Sequence, residues 1–194
     1  MKAEQIVEAL RNRHKPQSTM SAEWAVLSEL RVSTGINIKK LKQNLQQRID
    51  VWAINCFPSK GFHRIAYEIK VSRADFLHEI KHPEKRQRAL ELSHQFYFVV
   101  PKGLVKPEEI PEECGLMYVD DKLRTRIVKE APIRENTAPP DWGFLASVAR
   151  MGNEAEVQKL RAEKRDLNEY QLKLQEKIDE LHREIFDLRR QLQA

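Results

Sequence analysis

The chain has 194 residues, 41% hydrophobic and 32% charged, enough for one domain with its own core plus a charged appendage. Its formal net charge of +5 favours polyanionic partners, nucleic acid before anionic membrane. No apolar run reaches the length of a membrane span, residues 1–15 lack a signal-peptide stretch, and the two cysteines, Cys56 and Cys114, show no metal-ligand spacing, so the expected setting is a reduced cytoplasm.

In chain order, residues 2–14 read as a short helix with Ile6, Val7 and Leu10 on one side, ended by Lys15–Pro16. A second helix is expected from Ser21, a good N-cap, with Trp24, Leu27 and Leu30 at helical spacing and a stop before Gly35. Residues 48–54 are rich in strand formers, and Pro58-Ser-Lys-Gly61 supplies a turn into a second strand, Arg64 to Val71. The odd positions of that strand, Ile65, Tyr67, Ile69 and Val71, form one apolar face. Ser72 and Asp75 fit a helix cap, and a basic helical stretch follows His82–Pro83. Phe96-Tyr-Phe-Val-Val100 reads as a strand buried on both faces. Gly115–Val119 and Thr125–Val128 read as two more strands, Pro132–Pro140 as a linker and Trp142–Arg150 as a short helix.

The C-terminal segment differs in kind. Leu160, Leu167, Leu174, Leu181 and Leu188 recur every seventh residue, with Val157, Lys164, Gln171, Ile178, Ile185 and Leu192 at the complementary positions. This is an a/d heptad pattern, and leucine at d with polar residues at two a positions favours a two-stranded coiled coil, so residues 154–194 predict a homodimer. From Glu154 onward nine Lys and Arg face ten Asp and Glu, so the positive excess lies in the body.

Chemistry concentrates on two strands. Glu68 and Lys70 are two apart and share a face, and Asp50, between apolar Ile49 and Val51, is expected opposite them. Two carboxylates at one point suit a hard cation such as Mg²⁺, and an ammonium beside them can offset charge on a phosphate. The same residues also fit a solvated pair on an edge strand. Trp24 and Trp52 read as core residues, and His63, His78, His82 and His94 show no ligand-like grouping.

Asp50 followed by Glu68-Ile-Lys70 resembles the PD-(D/E)xK nuclease superfamily, although Arg48-Ile49 stands where the proline of that formula would be. The stretch Tyr67–Phe76, with Phe96–Pro101 and Gly115-Leu116, resembles the MmcB family of DNA repair proteins, over about Glu23 to Arg150. Val51–Pro58 and His82–Gln87 look more like phage or prophage relatives. The resemblance implies a restriction-endonuclease-like α/β fold: a mixed central sheet flanked by helices, here followed by a long C-terminal coiled-coil helix. With the N-terminal helical pattern and the C-terminal heptads, the chain divides into an N-terminal helix (1–17), a nuclease-like domain (18–150) and a dimerisation helix (154–194).

The activity it implies is Mg²⁺-dependent hydrolysis of DNA phosphodiesters, with Mn²⁺ as a substitute, in repair, recombination or phage DNA metabolism. Asp50 and Glu68 would ligate the metal with the Ile69 carbonyl, and Lys70 would act on the attacking water. A carboxylate from the first core helix would assist, Glu23 rather than its rival Glu29. Arg73, Lys81, Lys85, Arg86, Gln87 and Arg88 would hold DNA phosphates. Two other readings remain open: a catalytically silent DNA-binding dimer, and an adaptor that recruits a partner through the coiled coil.

Overall fold

A computed structural model describes residues 1–15, 23–32, 47–135 and 137–192 of the chain. Six strands form one mixed sheet in chain order: β1 (Trp24–Val32), β2 (Gln47–Asn55), β3 (Arg64–Ile69), β4 (Gln95–Pro101), β5 (Gly115–Val119) and β6 (Thr125–Lys129). The outer pairs β1–β2, β2–β3 and β5–β6 are antiparallel, whereas β3–β4 and β4–β5 are parallel. The parallel pairs need crossovers. Helices α2 (Arg73–Ile80) and α3 (Gln87–Leu92) make the first, and a loop holding one 3₁₀ turn, Pro107–Glu109, makes the second.

Helices cover both faces of the sheet, as expected. Ile6, Ala9 and Leu10 of α1 (Ala3–Arg13) join Val51, Ala53, Tyr67, Tyr97 and Met117 in one buried cluster. On the opposite face Phe76 of α2 packs edge-on against Phe98, with ring centroids 5.4 Å apart. Trp52 meets Phe144 in the same way at 5.2 Å and donates its indole N–H to Ser93 at 3.1 Å. Trp52 is therefore the core residue it was expected to be, whereas Trp24 is half-buried against the His14 ring. Strand β4 is buried from Gln95 to Val100, as its continuous apolar run predicts. Gly115 is required where β5 passes Tyr97: an added Cβ would run into that ring and lie 2.7 Å from the Ala131 backbone nitrogen.

The largest departure from expectation is the second helix. Trp24–Val32 is a strand, registered against β2 from Trp24↔Asn55 to Val32↔Gln47. Three apolar residues at helical spacing suggested a helix, but the segment also holds Trp, two Val and two Leu, and it pairs with β2 on both sides of Glu29. The expected cap at Ser21 lies outside the described residues.

Ser72 does cap α2, accepting the Asp75 N–H at 3.2 Å. The expected short helix at Trp142 does not stop at Arg150: α4 runs from Trp142 to Leu192. Asp141 caps it by accepting the Phe144 N–H at 2.7 Å. The chain divides into two compact units, Met1–Ala149 and Arg150–Ala194. In the second unit Leu160, Leu167, Leu174 and Leu181 are each between 45% and 57% exposed. No described helix is long and apolar enough to cross a membrane.

Candidate active site

Register brings the chemistry together. Val51 pairs with Tyr67, so the next residues outward, Asp50 and Glu68, face each other on the sheet face covered by α2. Asp50 Oδ2 accepts the Ile69 N–H at 2.9 Å. Lys70 follows the end of β3, anchored by its own N–H to the Val99 carbonyl at 3.1 Å. Its ammonium donates to Glu68 Oε1 at 2.7 Å. Asp50 Oδ1 and Glu68 Oε2 are left without a hydrogen-bond partner among the described residues.

A third carboxylate enters from α2. Glu79 is buried, and its Oε2 lies 3.4 Å from Lys70 Nζ. Nothing in the Asp…Glu-x-Lys pattern points to it. The helical offset from Ser72 placed it on α2, but only the packing of Phe76 against Phe98 decides which way α2 faces.

The electrostatics follow from burial. Desolvation, and then the nearby Asp50 charge, push Glu68 up to about 7. Burial also raises Asp50, against the opposing effects of the Ile69 N–H and the Lys70 and Arg48 charges. Burial works to lower Lys70, but the Glu68, Glu79 and Asp50 carboxylates outweigh it, and the ammonium is held above its ordinary value. The site therefore stores negative charge that is poorly solvated and only partly neutralised, an arrangement that favours an added cation.

Asp50 and Glu79 border a cavity of about 420 Å³, lined also by Glu29, Arg48, Lys70 and Lys85, whereas Glu68, hydrogen-bonded to Lys70, lies outside the lining. Glu29 sits between the pairs Ser28↔Val51 and Leu30↔Ile49, so it faces Asp50. It holds a left-handed backbone, φ +62°, and its carboxylate meets Arg48 at 2.6 Å. That conformation is uncommon outside glycine and marks a local constraint at this point.

Glu23, the favoured assisting carboxylate, is not part of the site. It stands before β1 rather than on a helix, its side chain accepts from Asn55 Nδ2 at 3.0 Å, and its carbonyl accepts the Cys56 N–H at 2.8 Å. Asn55 lies five residues along β2 from Asp50, roughly 16 Å away at strand spacing. Its rival Glu29 is the residue that the strand register brings to Asp50.

The basic residues separate. Lys85 lines the cavity, with its ammonium 3.2 Å from His78 Nε2, and Lys81 is exposed at the end of α2. Arg73 is exposed and ion-paired with Glu109. Gln87 donates to Glu91 at 3.0 Å. Arg88 bridges Glu91 and Asp141, the latter at 2.6 Å. Arg86 is buried against Glu113 at 2.7 Å and therefore ties the crossover to β5 rather than facing solvent.

A second cavity of about 410 Å³, rimmed by Lys102, Arg124 and Arg126, lies beside β6. Among the described residues no three His, Cys, Asp or Glu groups form a ready-made metal cluster. Two carboxylates with a carbonyl and waters are the sparser set that Mg²⁺ accepts, and the two free carboxylate oxygens fit it.

No family model matches the chain, and no curated protein does. Among solved structures it is similar to SPO1766, a protein of unknown function from Silicibacter pomeroyi, at 23% identity with a TM-score of 0.53. The match covers 83% of this chain and 92% of that one, and at this identity it shows a shared fold alone.

Proposed function

We propose that the chain is a metal-dependent deoxyribonuclease with a restriction-endonuclease-like, MmcB-related core. The observation that carries this reading is the convergence of Asp50, Glu68 and Lys70 at one end of a mixed sheet, with Asp50 and Lys70 lining a cavity and one carboxylate oxygen of each acid without a hydrogen-bond partner among the described residues. Asp50 Oδ1, Glu68 Oε2 and the Ile69 carbonyl would hold Mg²⁺, and Mn²⁺ would enter the same oxygen set. The bound ion would supply Lewis acidity and a more acidic water.

The chain's own residues would do the rest. The backbone N–H of Ile69 holds the Asp50 carboxylate in one orientation. Lys70 would stand beside the scissile phosphate and offset the charge that builds as water adds to phosphorus and the bond to the leaving oxygen breaks. Lys85, which lines the cavity, and Lys81, exposed at the end of α2, are the expected residues best placed to meet flanking phosphates.

The exposed heptad leucines Leu160, Leu167, Leu174 and Leu181 support a homodimer through residues 154–194, because a single chain leaves them in water. A dimer would carry two sites, suited to duplex or branched DNA in repair or phage DNA metabolism. The test is a cleavage panel: single-stranded, duplex, flap and junction DNA, and RNA, with Mg²⁺, Mn²⁺ or EDTA. Metal-dependent cutting of DNA that disappears in Asp50→Asn and Lys70→Met is expected. Binding without cutting by every chain would turn the assignment to a silent DNA-binding dimer.

A further inference from the structure

Glu79 has no place in the catalytic pattern, yet it is the most buried acid at the site, with a side chain only 8% exposed. It is carried on α2, whose start is capped by Ser72 and whose Phe76 is locked in the core. Its carboxylate is therefore held in place by a rigid element, not by a loop.

One ammonium lies between two carboxylates: Lys70 Nζ is 2.7 Å from Glu68 and 3.4 Å from Glu79. The nearer partner is the one that a divalent cation would claim under the function proposed above, on which this inference rests. A cation on Glu68 would weaken that hydrogen bond and repel the ammonium at close range. Lys70 then needs another anion within reach, because an unpaired charge at this depth is strongly disfavoured. Glu79 stands a fraction of an ångström beyond an ordinary charge-assisted bond.

We infer that Glu79 is a positioning residue, which takes over the Lys70 ammonium when Glu68 binds a divalent cation and keeps it beside the cavity. In the cation-free state the three residues form one shared cluster. With a cation bound, the cluster divides into Asp50 and Glu68 on the metal and Glu79 on Lys70. Removing Glu79 would leave Lys70 to compete for Glu68, so cation binding would weaken, and it would weaken only while Lys70 is present.

The test is a double-mutant cycle on the full chain, with Mn²⁺ alone titrated calorimetrically into wild type, Glu79→Gln, Lys70→Met and the double variant. Loss of about five- to tenfold in Mn²⁺ affinity is expected from Glu79→Gln when Lys70 is present, and less than about twofold in the Lys70→Met chain. Equal losses in both backgrounds would mean that Glu79 acts on the cation directly, and no loss in either would mean an inert ion pair. Both results overturn the inference while leaving the metal site standing. A wild-type chain that binds no Mn²⁺ overturns the metal site and this inference together. If circular dichroism shows Glu79→Gln unfolded, Glu79→Asp keeps the charge but withdraws it by one methylene. It should show the same Lys70-dependent loss.

Discussion

Asp50 and Ile69 are joined across the β2–β3 pair, where the Ile69 backbone N–H donates to Asp50 Oδ2 at 2.9 Å. The bond orients one acid of the site, and its other oxygen has no hydrogen-bond partner among the described residues. An asparagine can accept the same N–H without the negative charge. Asp50→Asn should therefore fold, with a melting temperature within a few degrees of wild type, because a half-buried charge is removed. It should lose Mn²⁺ affinity by at least about tenfold in calorimetry. Unchanged affinity would remove Asp50 from the site.

Glu68 gives the site a pH dependence. Its carboxyl is raised to about 7 by burial and by Asp50, so at pH 6 it is mostly protonated and cannot serve as an anionic ligand. Mn²⁺ affinity should rise by up to about tenfold per pH unit below pH 7 and level off above it. The metal-free protein should respond in the opposite sense. A carboxyl raised in the folded state binds more protons there than in the unfolded chain, so its contribution to stability is present below its ordinary value and lost as pH rises through about 7. Melting curves with EDTA from pH 5 to 8, for wild type and Glu68→Gln, would separate the two effects.

His14 acts with the reverse sign. Its ring is buried, hydrogen-bonded to the Tyr67 hydroxyl at 2.8 Å and packed on Trp24, and burial followed by the Arg13 charge lowers it to about 4. A base lowered in the folded state contributes stability above its ordinary value of 6.5 that is lost as pH falls through about 4. The upper limit on that loss is about 1.4 kcal/mol per pH unit. The stability gap between wild type and His14→Gln should therefore narrow steadily from pH 7 to pH 4.5 in denaturant titrations. A constant gap would show that His14 does not titrate with folding.

The two candidate helper acids make opposite predictions. Glu29 faces Asp50 across the β1–β2 register and Glu23 lies at the far end of the same pair. Glu29→Gln should lower Mn²⁺ affinity by about two- to fivefold through the lost field of one exposed charge. Glu23→Gln should leave it unchanged within about a factor of two. The reverse ranking would contradict the strand register.

The C-terminal seam predicts an assembly. Leu167 and Leu174 are both about half exposed in the single chain and occupy successive d positions. Changing both to Glu should convert a dimer of the full chain to monomer in analytical ultracentrifugation, because a charge at a buried d position is strongly unfavourable. A wild-type chain that sediments as a monomer would refute the dimer.

The sequence by itself determined most of the sheet and the pairing of Asp50 with Glu68. A two-residue period and a continuous apolar run leave little freedom: Tyr67 and Ile69 must point to one face, Glu68 to the other, and Phe96–Val100 must be covered on both sides. The heptad leucines were equally legible, since a strict repeat of seven defines a helical seam without reference to the rest of the chain. The tertiary structure alone decided the remainder. Trp24–Val32 carries apolar residues that fit either period, and the partner strand β2 makes it a strand. That choice moves Glu23 away from the site and brings Glu29 to it. Glu79 faces Lys70 because α2 docks through Phe76, and Arg86 is buried because Glu113 arrives from a crossover 27 residues later. Those contacts join residues that local periodicity does not relate, so packing between distant segments sets them.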